Sequence, residues 1–384
     1  MGEGRRRRCR GGRAEPGAGR ALPRPRRGSR AGALRRAPRE WNDHRAHVAL
    51  AVTEPRAQAQ ARALVAYLRS ALEAPTLDLA EPPAVLRGGF DTEIYALRLR
   101  DAPTDFARPL VLRVLQPHHD LARALREQAT QNAVADAGYP APRVLLAAAD
   151  PAALGAPFLL MERVPGRPLL EARAIGMGAV LADLQLRLHA LDPAPLAGAL
   201  GAAGTFDGYL DALARRIARA RLDGLAPLLD WLRAGHPPGG ALAICHGDFH
   251  PQNVLVERGV VTGVLDWPNA LVADPAFDVA STLNILRFVP AGLTSMPRAL
   301  RGLARLVQPL LARRYLARYR RGQPIDDARL AYYQVAAALR ALMRAGESRR
   351  GIGGAPSGLD ASPYAARLLE HARRVSGVAA TLPS

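Results

Sequence analysis

The spacing of hydrophobic residues predicts a strand-rich first half and a helix-rich second half. Short apolar runs bounded by turn residues predict β-strands at 94–99, 110–115, 144–147 and the start of 158–166. Apolar positions three and four residues apart predict helices at 57–72, 120–136, 174–191, 206–221, 300–321 and 326–344. In the second half, strand signals are confined to the neighbourhood of residue 248. This distribution is typical of an α+β fold.

The strand signals of the second half surround a His-Gly-Asp turn that ends at Asp248. The apolar run 241–244 precedes the turn, and its glycine permits a tight bend there. Two further apolar runs flank a turn signal and predict a β-hairpin over 254–265. Because its arms are of similar length, Asn253 and Asp266 should lie at the same end, beside the loop that carries Asp248.

The three side chains predicted to converge suit phosphoryl transfer. The amide oxygen of Asn253 and the carboxylate of Asp266 are ligands for Mg²⁺, which shares its remaining sites with water and substrate phosphates. Asp248 is ionised at neutral pH and can orient a hydroxyl and accept its proton. Each residue type is also common in turns. A metal-hydrolase cluster of His246, His250 and Asp248 is an alternative, but Pro251 and the glycine place these residues on a loop.

This segment resembles the aminoglycoside phosphotransferase family of small-molecule kinases, which share the protein-kinase-like fold. The His246-Gly247-Asp248 turn with Asn253 is similar to the catalytic loop of that family, and Leu265-Asp266-Trp267 stands where protein kinases have Asp-Phe-Gly. The resemblance implies that Asp248 is the catalytic base and that Asn253 and Asp266 hold Mg²⁺. His246 is expected to hydrogen-bond the loop backbone.

The block from Asp274 to Asp278 resembles the next sequence block of the family. Asp274 can cap a helix whose first position is Pro275, which is a structural role. Asp278 is expected to brace the catalytic loop from that helix.

The nucleotide is expected to bind the first half of the chain. Arg113 is the single cation on its strand in a chain without lysine, and is the candidate for the phosphates. Glu127 is its expected ion-pair partner, with a solvated helix face as the alternative. Gly88 and Gly89 can present backbone N–H groups to phosphates, or form an ordinary hairpin turn.

The resemblance extends over residues 80–345 and implies a bilobal kinase-like fold. The run that contains Met161, Glu162 and Val164 resembles the hinge between lobes, where backbone groups meet adenine; a buried edge strand is the alternative. We expect a disordered tail at 1–50, a nucleotide-binding lobe at 51–163, a catalytic and substrate-binding lobe at 164–375, and a short tail at 376–384.

The charge of the chain is concentrated in its first residues. Residues 1–45 hold 15 Arg and four acidic residues, which is +11 of the formal net charge of +19. So few large apolar residues cannot bury enough surface to fold. This tail could bind nucleic acid or an anionic membrane weakly, serve as a transit peptide, or have no role in catalysis.

The remaining sequence features narrow the class of protein. Two cysteines and no run of 18 apolar residues predict a cytoplasmic protein without a membrane span. The segment between Asp266 and Asp274 is too short for the activation loop of a protein kinase. A pseudokinase would not need all three catalytic positions. The expected activity is therefore ATP- or GTP-dependent phosphorylation of a hydroxyl on a small molecule.

The charge of the later helices bears on the acceptor. Residues 296–350 contain 13 Arg and only three acidic residues. Polycationic aminoglycosides need clustered carboxylates, because a cleft of one sign concentrates ligands of the other. We therefore expect a neutral or anionic acceptor, and expect kanamycin-like compounds to be poor substrates.

Overall fold

The computed structural model describes residues 54–86, 92–149, 154–172, 176–288, 298–352 and 362–383. Gly88, Gly89 and the Arg-rich tail lie outside these ranges, so the predictions made for them are untested. The predicted boundaries of the two lobes also remain predictions.

The first lobe combines short strands with two helices. Its elements are α1 (Glu54–Ala71), β1 (Asp78–Leu79), β2 (Ala84–Val85), β3 (Glu93–Leu97), β4 (Leu99–Arg100), β5 (Leu110–Val114), α2 (Leu121–Asp136), β6 (Val144–Ala149) and β7 (Pro157–Glu162), with a 3₁₀ turn at Thr104–Phe106. Among the described residues, an antiparallel sheet forms in the order β2-β3-β5-β7-β6, and β1 pairs with β4. The predicted strand over 94–99 is broken into β3 and β4.

The sheet of the first lobe is covered on both faces. Successive side chains of β7 point to opposite sides, as a strand requires. Phe158 and Leu160 pack in one cluster with Leu64 of α1, whereas Leu159 packs in another with Ala124 of α2. The second helix begins at Asp120, whose side chain accepts a hydrogen bond from the N–H of Arg123 at 2.8 Å.

The second lobe is mostly helical. Its elements are β8 (Arg167–Pro168), α3 (Met177–His189), α4 (Ala194–Leu200), α5 (Phe206–Arg219), α6 (Ala226–Ala234), β9 (Ala243–Cys245), β10 (Val254–Glu257), β11 (Val260–Val264), β12 (Leu271–Ala273), α7 (Pro275–Phe288), α8 (Arg298–Gly322), α9 (Asp327–Arg349) and α10 (Ser362–Ser376). Short 3₁₀ turns lie at Gly201–Gly204 and Asp223–Leu225.

Two short strands lie outside the predicted hairpin of β10 and β11. Strand β8 adds to the hairpin by pairing with β10, whereas β12 pairs with β9 in a separate two-stranded sheet. The expectation that strands are confined to the hairpin was wrong in this respect, because strands of two or three residues are too short to show a periodic pattern. The β9–β12 pair fixes both ends of the segment that carries the expected catalytic loop.

Helix α7 lies at the centre of the second lobe. It packs against α8 and α9, and both Phe277 and Asp278 are almost fully buried. A charged residue is rarely buried unless it is paired, so the position of Asp278 indicates a specific partner. Within the described residues, no helix is long and apolar enough to cross a membrane.

Candidate active site

The loop that carries Asp248 follows β9 and bends sharply at Gly247, a position that requires glycine. Gly247 has a φ of +74°, a conformation that side-chain-bearing residues rarely adopt. A Cβ at this position would also overlap the carbonyl oxygen of Asn269. The sharp bend therefore depends on glycine for both backbone conformation and space.

The carboxylate of Asp278, on α7, accepts hydrogen bonds from the backbone at the start of this loop. Its Oδ1 accepts the N–H of Gly247 at 2.8 Å, and its Oδ2 accepts the N–H of His246 at 3.1 Å. The ring Nε2 of His189 lies 3.2 Å from the same Oδ2. Burial alone would raise the pKa of Asp278, but the hydrogen bond and charge of His189 outweigh it, and the pKa is lowered. Asp278 therefore remains an ionised acceptor for the loop backbone.

His246 joins the loop to the far arm of the hairpin. Its Nδ1 accepts the N–H of Asp248 at 3.2 Å, and its Nε2 lies 3.0 Å from the carbonyl oxygen of Leu265. Since a carbonyl can only accept, these two contacts select the neutral tautomer with the proton on Nε2. The ring is fully buried and packs beside Trp267, with centroids 4.6 Å apart. Its position is that of a structural support.

Hydrogen bonds also bring Asn253 and Asp266 to the Asp248 loop. The side-chain Nδ2 of Asn253 donates to the backbone oxygen of Asp248 at 3.0 Å, and its own backbone oxygen accepts the N–H of Leu265 at 2.8 Å. Asp266 follows with a φ of +71°. A non-glycine residue in this region costs about 1–3 kcal/mol, and such strain is concentrated at functional sites.

Arg113 reaches from β5 to the hairpin of the second lobe. It forms an ion pair with Glu127 of α2, and its second guanidinium nitrogen lies 3.1 Å from Oδ1 of Asp266. Burial raises the pKa of Glu127, and the charge of Arg113 offsets part of that rise. The ion pair expected between Arg113 and Glu127 is thus present, and it is joined to Asp266.

Arg340 of α9, which the sequence analysis did not single out, contacts the loop that carries Asp248. It donates to the backbone oxygen of Gly247, and its other terminal nitrogen lies 3.5 Å from Oδ2 of Asp248. Burial would raise the pKa of Asp248, but positive groups led by Arg340 outweigh burial and lower the pKa. The Asp248 side chain is 18% exposed, so it is a partly buried, ionised carboxylate that a small molecule can still reach.

The hinge predicted at Met161, Glu162 and Val164 lies where β7 ends. The side chain of Met161 is buried against α2, and the N–H of Glu162 donates to the carbonyl oxygen of Arg143, just before β6, at 2.9 Å. That N–H is therefore engaged within the fold, and the hinge assignment stays a prediction. Val164 lies against Gly263 of β11, so the run does pass beside the catalytic hairpin.

Asp274 has the capping role that the sequence allows. Its Oδ1 accepts the N–H of Ala276 at 2.8 Å at the start of α7, and its Oδ2 pairs with Arg329. Both oxygens are thus used within the fold.

The metal-hydrolase alternative finds no support in the geometry. In the parts of the chain that the structure describes, no three His, Cys, Asp or Glu residues are grouped to hold a metal ion. His250 accepts the N–H of Gln252 at 3.3 Å through Nδ1, and burial lowers its pKa. It is a neutral loop residue.

Comparison with known proteins identifies the family. The chain matches the Phosphotransferase enzyme family over residues 84–293. It belongs to that family. It is 30% identical over 219 residues to the aminoglycoside 3'-phosphotransferase of Streptomyces fradiae, a match covering 52% of this chain and 72% of that protein. The resemblance seen in the sequence is thereby confirmed.

A second relative and a solved structure extend the comparison. Acyl-CoA dehydrogenase family member 10 of Mus musculus is 29% identical over 215 residues, which cover 50% of this chain but only 19% of that protein. A ternary complex of a thermostable aminoglycoside phosphotransferase APH(4)-Ia variant with ADP and hygromycin B has a TM-score of 0.52 at 20% identity, covering 82% of this chain and 98% of that one. That likeness shows the bilobal kinase-like fold. The matched family is one of phosphotransferases, and the chain spans only about a fifth of the length of the mouse relative.

Proposed function

We propose that the chain transfers the γ-phosphate of ATP or GTP to a hydroxyl of a small molecule, with Asp248 as base and Asn253 and Asp266 as ligands of Mg²⁺. One observation carries the proposal: hydrogen bonds tie these three residues into one loop and hairpin, which the buried Asp278 holds in place. Catalysis of phosphoryl transfer rests mainly on such positioning.

The nucleotide is held, in this proposal, by the lobe at 51–163. Arg113 faces the phosphates, with Glu127 fixing its direction, since a guanidinium can pair with phosphate through two parallel hydrogen bonds. Gly88 and Gly89 add backbone donors, and the base lies against the backbone near Met161 and Val164. The ADP bound by the aminoglycoside phosphotransferase of the same fold supports a nucleotide donor.

The residues assigned to Mg²⁺ fit such an ion. Asn253 uses the donor end of its amide on the Asp248 backbone, which leaves its oxygen as the end that can meet a cation. The Asp266 side chain is 38% exposed and has one oxygen against Arg113. Two protein oxygens suit Mg²⁺, which keeps several waters and takes its other ligands from phosphates. When bound, the ion neutralises charge on the transferred phosphate.

Asp248 orients the acceptor hydroxyl and takes its proton. The hydroxyl oxygen forms the new bond to phosphorus, the bond from phosphorus to the nucleoside diphosphate breaks, and the diphosphate leaves. The proton moves late to Asp248, because a loose transition state places little demand on base strength. A carboxylate whose pKa is lowered by Arg340 can perform this task.

The structure disfavours a protein kinase. After Asp266 the chain passes directly through β12 to the cap of α7 at Asp274, so no activation segment intervenes. A pseudokinase would have no need of the Asp248 geometry.

The test separates metal binding from turnover. Asp266→Ala and Asn253→Ala should weaken binding of Mg²⁺-ATP in calorimetry, whereas Asp248→Asn should bind it like the wild type and lose phosphotransfer. The exposed Asp230→Asn serves as the control for removing a carboxylate. Undiminished Mg²⁺-ATP binding by Asp266→Ala, or normal turnover by Asp248→Asn, would overturn the assignment.

A further inference from the structure

A second arginine of α9 lies beside the proposed catalytic base. Arg344 follows Arg340 by four residues, so both side chains lie on the same face of the helix. Both guanidinium groups act electrostatically on Asp248. Arg344 is partly exposed, whereas Arg340 is held by Asp248 and the Gly247 carbonyl oxygen. The face of α9 that contacts the Asp248 loop through Arg340 is therefore cationic.

Two tyrosines from other helices lie within electrostatic range of the same carboxylate and arginines. Tyr209 of α5 donates its hydroxyl hydrogen to the carbonyl oxygen of Ala336 at 3.3 Å, and it interacts with Arg340 and Asp248. Tyr364 of α10 is almost fully buried, and it interacts with Arg344, Asp248 and Arg340.

Two guanidinium groups act on the single carboxylate of Asp248. Arg113 is engaged by both Glu127 and Asp266, whereas Arg340 contacts Asp248 alone among the described carboxylates. Among the residues that the structure describes, no carboxylate lies within 4.0 Å of Arg344. Asp274, which might have supplied a negative charge to the cleft, pairs with Arg329 and caps α7. The surplus charge beside Asp248 is therefore positive.

We propose that Arg344 binds an anionic group of the acceptor, a carboxylate or a phosphate, and thereby places the acceptor hydroxyl on Asp248. The proposal rests on the proposed function, because it takes Asp248 as the residue that receives the hydroxyl. A guanidinium matches the two oxygens of either anion. An ammonium group beside the reacting hydroxyl would instead meet Arg340 and Arg344, so a polycation is repelled from this position.

The first experiment compares acceptors that differ only in charge. Hydroxycarboxylates of two to six carbons are assayed with Mg²⁺-ATP beside their amides and the amino alcohols of equal length. Glycerol 3-phosphate distinguishes phosphate from carboxylate, and kanamycin represents polycations. We expect at least one anionic probe to be phosphorylated with a kcat/KM at least about tenfold above that of its neutral analogue. A single hydrogen bond between charged groups is strong enough to produce a difference of that size.

The second experiment removes the charge. Arg344→Gln should raise KM for the anionic acceptor about tenfold or more, with kcat and the KM for ATP nearly unchanged, and Arg344→Lys should restore part of the affinity. Arg350→Gln is the matched control, since Arg350 is exposed at the end of the same helix. If Arg344 acted only by lowering the pKa of Asp248, Arg344→Gln would instead change kcat for charged and neutral acceptors alike.

Failure of this inference differs from failure of the proposed function. If amides, amino alcohols or kanamycin are phosphorylated as well as the anionic probes, or if Arg344→Gln affects all acceptors equally, the anion site is wrong while the phosphotransferase assignment stands. If the protein loaded with Mg²⁺ and a non-hydrolysable ATP analogue binds none of the anionic probes in calorimetry, the inference is also overturned. Absence of Mg²⁺-ATP binding would reject the proposed function itself.

Discussion

Replacing Asp278 with asparagine tests how strongly the fold holds the catalytic loop. The substitution conserves the size of the side chain, so packing within α7 is unchanged. It removes the charge and replaces one acceptor oxygen with an amide that can only donate. The carboxylate accepts backbone N–H groups of His246 and Gly247 at 3.1 and 2.8 Å and lies 3.2 Å from the ring of His189. Asparagine cannot accept all three.

The expected loss follows from the buried partners. A hydrogen bond to a charged group contributes about 1.5–3 kcal/mol, and a buried donor left without a partner costs about 1–3 kcal/mol. One lost acceptor and one unpaired N–H therefore predict a decrease of about 2.5–6 kcal/mol in the free energy of unfolding, which brackets the roughly 3–5 kcal/mol for breaking a buried charged pair. This is a large part of the 5–15 kcal/mol or so that stabilises a typical domain.

The effect should depend on pH in a definite direction. The pKa of Asp278 is lowered in the folded state, by His189 against the effect of burial. Its contribution to stability is therefore complete above the unfolded-state pKa of about 3.9 and is lost as pH falls through the lowered folded pKa. The difference between wild type and variant should be largest near neutral pH and shrink on acidification.

Chemical denaturation with and without Mg²⁺-ATP measures the free energy of unfolding. Steady-state kinetics measures kcat, which reports on the position of the loop that carries Asp248. We expect Asp278→Asn to lower kcat by about a hundredfold, because small displacements of a reacting group have effects of that size. Asp230→Asn, an exposed change on α6, should alter neither quantity. A loss of less than about 1 kcal/mol with normal kcat would refute the view that Asp278 positions Asp248.

Two further predictions concern the arginines that contact Asp248 and Asp266, the carboxylates of the proposed site. Arg113→Met alone would leave the buried Glu127 without a partner, so the double variant with Glu127→Met is the cleaner test; it should fold and raise KM for ATP about tenfold or more, and an unchanged KM would place the phosphate contact elsewhere. Arg340→Met should raise the pKa of Asp248, because the largest of the charges that oppose burial is then removed. The acid limb of kcat against pH should move to higher pH, and an acid limb that stays in place would contradict the role of Arg340.

The loop and hairpin around Asp248 were predictable because the residues that form them are close together in the sequence. Asp248, Asn253 and Asp266 fall within one loop and hairpin, so spacing and turn residues are sufficient to bring them together. The Arg113–Glu127 pair joins adjacent elements of one lobe, but spacing alone left a solvated helix face as an equal alternative, and the resemblance to the kinase pattern favoured the pair. The positive φ of Asp266 was not predictable, because the backbone conformation there depends on its tertiary contacts.

The arginines of α9 were not predictable from one sequence. Arg340 is 93 residues from the Gly247 oxygen that it contacts, and nothing in its neighbourhood distinguishes it from the other arginines of the late helices. Which of these face the cleft depends on how α9 packs against α7. The same holds for His189, which reaches Asp278 from α3. Composition predicted a positive acceptor site, but only tertiary structure identifies Arg344 as its surplus charge.

The contact between Arg340 and Asp248 also bears on the class of reaction. A guanidinium 3.5 Å from a carboxylate lowers its pKa and so makes it a weaker base. An enzyme that removes a proton from carbon needs the opposite, a carboxylate whose pKa is raised towards neutrality. Phosphoryl transfer through a loose transition state needs an ionised, well-oriented acceptor and little base strength. The arginine that weakens Asp248 as a base also holds the loop at Gly247, which favours orientation over basicity and agrees with transfer to a hydroxyl.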